Sequence, residues 1–338
     1  MPVRRFMLLI AVSCLSACGP VPDPRSSAPV DLHPPVVQSV CSTGSTEIVV
    51  ELDEEASIAA DKVRITPALA VTATEASGNR ITVCSDAQAP GVSYQMEAEA
   101  TDRSGNVASF MAEFYGYNPR VPRLLLNELT PRGTTDHPDL LEIKVISAGD
   151  MGGVVLYQGT PGSFDDRVVF PSFAVGAGSF IVVHWKPSGS PAEVNETSDV
   201  SASGGTDASP TGYDFWVAGG QGLGGNNGVL SLYERPGGKL MDGLLYSNRT
   251  STSDEKYLGF GSAAMLARAQ ELVKDGGWRA AGVRVTPEDA VSPEGSTSTR
   301  SLCRSSTGAD ADAAADWHIV PTRKSSFGAE NSDEVYVP

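Results

Sequence analysis

From Tyr94 to Ala100 the chain alternates without a break: Tyr94, Met96, Ala98 and Ala100 are apolar or aromatic, and Gln95, Glu97 and Glu99 between them are polar. A period of two is the period of side chains along a β-strand, so this segment has one face for a core and one for water. The pattern recurs in Ile48, Val50 and Leu52 against Val49 and Glu51, and in Ala108, Phe110, Ala112 and Phe114 against Ser109 and Glu113. Turn formers separate the runs at Ser77-Gly78-Asn79, Pro90-Gly91 and Ser104-Gly105-Asn106. Over residues 35–118 these spacings predict a small β-sandwich of about seven short antiparallel strands.

The 338 residues leave room for a second domain, and β-like segments resume at Leu124-Leu125-Leu126. One stretch reads otherwise. Met265, Leu266, Ala269, Leu272 and Val273 stand at helical spacing, with Ser262 placed as an N-cap and Gly276 as a stop. This predicts one amphipathic helix packed on the second module. Residues 187–212 are rich in serine, glycine, threonine and aspartate, a composition that predicts a mobile surface loop with too little apolar area to order itself.

At the start, Arg4 and Arg5 precede an apolar run from Phe6 to Ala17 that is too short to span a bilayer. Leu15-Ser16-Ala17-Cys18 resembles the bacterial lipobox. The resemblance implies that residues 1–17 are a signal peptide, that the chain is cut before Cys18, and that acyl chains on Cys18 anchor it in a lipid bilayer. Gly19 after Cys18 resembles the arrangement that favours the outer over the inner membrane of the cell envelope. Residues 18–34 are dense in proline and serine and read as an extended tether. Cys14 would leave with the signal. In an oxidising compartment Cys41 and Cys84 are a candidate disulfide if neighbouring strands bring them together, and Cys303 reads as a small buried residue.

Two family resemblances follow from longer segments. Tyr94 through Ala100-Thr101-Asp102-Arg103-Ser104-Gly105-Asn106 resembles the end of bacterial Ig-like repeats. From Arg123 onward, Asn127-Glu128, Asp139-Leu140-Leu141-Glu142-Ile143, Gly176-Ala177-Gly178-Ser179-Phe180, Asn226-Asn227-Gly228-Val229-Leu230, Ser301-Leu302-Cys303-Arg304 and Asp316-Trp317 resemble the lamin tail domain, with Leu140 where that family usually has tryptophan. Together they imply an all-β chain of two tandem Ig-like sandwiches. The second would cover residues 123–331, with insertions at 187–212 and 248–298 and a short tail at 332–338. The lamin tail likeness implies an accessory module without chemistry of its own.

The formal charge of −16, which becomes −18 when the two signal arginines leave, disfavours nucleic acid as a partner. Gly220-Gln221-Gly222-Leu223-Gly224-Gly225 matches a dinucleotide fingerprint by letter, but a turn and strand follow where phosphate binding needs a helix. The chain has no G-x-S-x-G elbow and no H-E-x-x-H pair. Asp102 with Asn106, and Asp310 with Asp312 and Asp316, are candidate calcium ligands, each with a simpler reading as turn residues; Arg304 is a candidate partner for a carboxylate. The expectation is a lipid-anchored, non-catalytic binding or scaffolding module for a protein or glycan, without cofactor. Its loops 201–210 and 220–227 are the contact candidates. The alternative is a metal-assisted hydrolase assembled from His137, His184 or His318 with acidic residues.

Overall fold

The computed structural model describes residues 31–249, 255–306 and 310–338. Cys18, the signal and most of the tether lie outside the described residues. The chain is all-β: mostly strands in several sheets, with a single helix longer than one turn among the described residues.

Eight strands form the first module: β1 (Val37–Gly44), β2 (Glu47–Leu52), β3 (Ala56–Ile58), β4 (Arg64–Thr66), β5 (Val71–Ser77), β6 (Arg80–Ser85), β7 (Ser93–Asp102) and β8 (Val107–Tyr115). One sheet runs β1-β2-β6-β5; in the other, β3 and β4 pair along one side of β7 and β8 along its other side. Their inner faces share one core in which Ile48, Val50, Ile81, Met96 and Ala100 are fully buried. Strand β7 keeps the predicted alternation, with Tyr94, Met96, Ala98 and Ala100 inward. Val49, expected to face out, is also buried.

Cys41 and Cys84 are free thiols. Cys41 lies opposite Val49 on β1 and Cys84 opposite Glu47 on β6, so β2 runs between them. Two strand spacings amount to about 9–10 Å, beyond the Cα separation of about 7 Å that a disulfide can span. The pairing anticipated from the sequence is therefore not made.

The second module holds β9 (Arg123–Thr130), β10 (Leu140–Ser147), β11 (Gly149–Asp150), β12 (Val155–Thr160), β13 (Ser163–Val169), β14 (Ala174–Val175), β15 (Phe180–His184), β16 (Tyr213–Trp216), β17 (Asn227–Tyr233), β18 (Leu240–Ser247), α1 (Ala263–Lys274), β19 (Leu302–Arg304) and β20 (Trp317–Ile319). A six-stranded sheet in the order β16-β15-β10-β9-β19-β20 and a four-stranded sheet β13-β12-β17-β18 enclose a separate core that includes Leu126, Ile143, Trp185, Phe215, Leu232 and Trp317. Helix α1 starts where expected, with Ser262 Oγ accepting from Met265 N at 3.1 Å, and Gly276 follows its end at φ +86°. It buries Met265, Ala269 and Leu272 and packs on β12, β13 and β17.

The modules meet closely. A Cβ on Gly91, whose φ is +72°, would come within 2.5 Å of the Gly153 nitrogen, and Asn118 Nδ2 donates to the Asp150 and Gly152 carbonyls at 2.6 and 2.9 Å.

Strand β9 carries an extra residue. Glu128 faces Glu142 and Leu126 faces Ile143, so Asn127 is bulged out of the pairing. Two side chains then bind the backbone of Leu126: its N–H donates to Asp242 Oδ2 at 2.7 Å, and its carbonyl accepts from Arg304 Nε at 2.9 Å. Arg304 Nη2 closes the set on Asp242 at 3.0 Å. Asp242 comes from the facing sheet, so the bulge becomes a bolt between the two layers.

Candidate functional site

The loops singled out from the sequence converge. Strand β9 ends at Thr130 and β10 begins at Leu140, and the segment between them is the meeting point. Asp139, largely buried, accepts from Gly133 N at 2.6 Å and from Leu223 N at 2.7 Å. Burial pushes its carboxyl up and these two N–H groups pull it back. Gly222, at φ +95°, passes so close that a Cβ would stand 2.6 Å from Asp139 Oδ2. The glycine-rich loop thus wraps a carboxylate of its own chain rather than a phosphate. Its carbonyls are held as well, Gly222 by Gln158 Nε2, Gly224 by the Tyr246 hydroxyl and Gly225 by Arg132 Nε, at 2.8–3.1 Å. The 201–210 loop reaches the same segment through Asp207, 3.1 Å from His137 Nδ1.

Two hollows flank the glycine-rich loop. One of about 290 Å³ is lined by Arg132, Thr134, Asp139, Lys186 and Gln221. The other, about 490 Å³, is lined by Asp165, Asn226, Phe260, Ser262 and Arg268, and Arg268 is held in a bidentate pair with Asp165. The pairings Val155↔Tyr233 and Asn227↔Ser247 mark opposite ends of their sheet. The first module abuts the former end, so the converging loops occupy the far end.

Residues 187–212 are not a loose loop. Glu193 accepts from Ser188 N and Oγ, both at 2.6 Å, and from Gly189 N at 2.9 Å. Buried Glu196 accepts from Ser203 N at 2.7 Å and Asp214 N at 2.8 Å. Composition counted only apolar area, whereas carboxylates satisfying backbone N–H groups order this segment.

The histidines stay apart. His137 faces Asp207. His184 is fully buried, with Nε2 2.8 Å from Asp214 Oδ1 and its ring stacked on Trp216 at 3.7 Å. His318 Nε2 lies 2.8 Å from the Ser332 carbonyl. Among the described residues no histidine belongs to a group of three metal-capable side chains, and the constellation a metal-assisted hydrolase would use is not assembled by them.

The acidic candidates fall in two groups, Asp102 with Asp31 and Glu54, and Asp310 and Asp312 with Asp242, and both are tied into turns or ion pairs of the chain. Asn106 N and Nδ2 each donate to Asp102 at 2.8 Å. Asp310 and Asp312 do come together, with Asp242 rather than Asp316 as the third acid, but the guanidinium of Arg304 stands among them, 3.0 Å from Asp242, 2.5 Å from Asp310 and 3.7 Å from Asp316. Burial raises the Asp242 carboxyl to about 7 while Arg304 acts to lower it. Asp316 Oδ2 accepts from Ala311 N and Ala313 N, shaping the turn before Trp317. Cys303 is fully buried, and burial pushes its thiol up.

Asn127, Glu128 and Glu142 lie in the segments that resemble the lamin tail domain, and their spacing alone assigns them no role. Glu128 and Glu142 sit side by side on the outer face of the six-stranded sheet, both fully buried. Glu128 accepts from Ser301 Oγ and from Ser326 N and Oγ. Glu142 accepts from Asn127 Nδ2 at 2.6 Å and from Gly328 N. Burial raises both carboxyls, that of Glu142 to about 8. They clamp residues 320–331 across the face that would otherwise be open.

These features define an all-β chain of two closely joined modules. The family model described as protein second domain matches residues 122–319, from the residue before β9 to the end of β20. The chain belongs to that family. An uncharacterized protein of Treponema pallidum (strain Nichols) is 29% identical over 164 residues, which is 48% of this chain and 41% of the relative, so the chain spans well under half of that relative's length. Among solved structures, a DUF4876 family protein from Bacteroides thetaiotaomicron VPI-5482 aligns over 62% of this chain and 77% of its own at 11% identity. Its TM-score is 0.25.

Proposed function

We propose that this is a lipid-anchored lipoprotein of the bacterial cell envelope, acylated at Cys18, whose second module binds a protein or glycan partner without catalysis. In this reading the two modules are tandem Ig-like sandwiches, the second akin to the lamin tail domain, and the outer membrane is the favoured site. One observation carries the binding role: loops distant in sequence converge on residues 131–139 at the end of the second module away from the first. There they are fixed by backbone hydrogen bonds and leave two polar hollows at the surface. Rigid loops on a sheet scaffold are a usual way to present a recognition surface.

The test is a glycan array and an envelope-protein binding screen with the full chain, against a variant altered at the exposed positions Lys186 and Gln221. Saturable binding that the variant loses supports the reading; identical binding by both would rule out the far-end face. Metabolic acyl labelling lost on Cys18→Ser tests the anchor, and persistence of the label would sink it.

A further inference from the structure

The first module has a seam where its two sheets meet edge to edge. β1 ends the sheet β1-β2-β6-β5, and β8 pairs with β7 alone. The two edges lie side by side without a backbone ladder between them among the described residues, so they keep backbone N–H and C=O groups that no strand pairs. Ser42 Oγ donates to the Tyr115 carbonyl at 2.8 Å and ties the edges at one point. Next to this tie a cleft of about 240 Å³ lies between β1, β8 and the 235–237 turn of the second module.

Arg235 stands in that turn. Among the described residues its guanidinium has no carboxylate partner, and its Nε is buried with no hydrogen-bond acceptor. A buried donor left unpaired is costly. Glu113 on the opposite wall is already engaged: it accepts from Ser93 Oγ at 2.6 Å and the Tyr115 hydroxyl at 3.2 Å, and faces Arg167 at 3.8 Å.

We infer that this cleft binds a carboxylate-bearing ligand, its carboxylate on the Arg235 guanidinium and a short extended amide chain along the β1 edge. The planar fork of arginine matches a carboxylate, and a free strand edge accepts an extended backbone. The volume is below the roughly 300–1,000 Å³ of drug-sized pockets, which limits the ligand to a small acid or the last residues of a peptide. A phosphate dianion would suffer twice the repulsion from Glu113 that a carboxylate does. This site is distinct from the far-end loops and does not depend on their role.

Cys41, a free half-buried thiol on the cleft wall, reports occupancy, and Cys84, a free half-buried thiol absent from that wall, serves as the internal control. The full chain is alkylated with iodoacetamide and the rate at each cysteine read by mass spectrometry, with acetyl-Val-Val, its carboxamide or propionate present. At twice its Kd a carboxylate probe slows Cys41 about threefold and leaves Cys84 unchanged, while the carboxamide does nothing. Arg235→Gln abolishes the protection and Arg235→Lys keeps part of it. Equal protection by dipeptide and propionate identifies a free acid as the ligand; protection by the dipeptide at about tenfold lower concentration identifies a peptide terminus. Protection by the carboxamide, protection persisting in Arg235→Gln, or none by either acid at millimolar concentration overturns the inference. The carboxylate and carboxamide arms use the unaltered chain, so the result stands even where a variant folds poorly.

Discussion

Replacing Glu142 with glutamine should destabilise the protein in a way that fades as pH rises. Asn331 Nδ2 donates to two backbone carbonyls, Asn127 at 3.0 Å and Arg304 at 2.7 Å, which fixes the orientation of that amide. Its Oδ1 therefore faces Asn127 Nδ2 at 2.9 Å, and Asn127 Nδ2 in turn donates to Glu142 Oε1. Glu142 Oε2 takes the Gly328 N–H. Position 142 must accept at both ends, which a carboxyl does whether ionised or protonated and an amide nitrogen cannot. Glu142→Gln leaves one buried donor facing another, at a cost of about 1–3 kcal/mol.

The wild-type side chain has its own cost. A carboxyl whose folded pKa is raised binds its proton more tightly folded than unfolded. Its stabilisation is complete below the ordinary 4.5 and is lost as pH climbs through about 8. The loss is at most about 1.4 kcal/mol per pH unit, and glutamine does not share it. Urea denaturation of both proteins should give a gap of about 1–3 kcal/mol at pH 5 that closes between about pH 6 and 7 and reverses by about pH 8. The same gap at pH 5 and pH 8 would refute the raised carboxyl, and no gap at pH 5 would refute the amide lock.

Three further outcomes are expected. Arg304→Met removes the partner of buried Asp242 and the donor to the Leu126 carbonyl, and should cost about 3–5 kcal/mol in urea denaturation. Ser262→Ala deletes the cap on α1 and should cost about 1 kcal/mol, with the difference read as a shift in urea midpoint at unchanged slope. Native-state alkylation should label Cys41 and Cys84 under oxidising conditions, with Cys303 labelled only after denaturation; a Cys41–Cys84 crosslink in the mass spectrum would contradict the strand order.

The all-β class and the helix were legible because they rest on periodicity and capping, which neighbouring residues decide. Tyr94 to Ala100 and Ser262 to Gly276 illustrate both. What failed depended on partners far along the chain. Cys41 and Cys84 looked pairable because strand order is invisible to spacing. Residues 187–212 looked loose because the carboxylates of Glu193 and Glu196 reveal their N–H partners only after folding. Of the candidate site, the loops 201–210 and 220–227 were visible as glycine- and serine-rich stretches, but their convergence on Asp139 and His137 was not. Nothing in the local pattern marked Glu128 and Glu142 as a clamp, since a glutamate within a strand ordinarily signals its solvent face.

That clamp joins Asn127 to Asn331 across 204 positions. The first two strands of the second module, β9 with Glu128 and β10 with Glu142, therefore wait for residues made long after them. Local contacts cannot finish this sheet early, so closure is late and slow by topology alone. The same residues act as a checkpoint on the whole module: a chain cut before Ser326 would take Ser326 from Glu128 and Gly328 from Glu142 together and present a quality-control protease with an unfinished face.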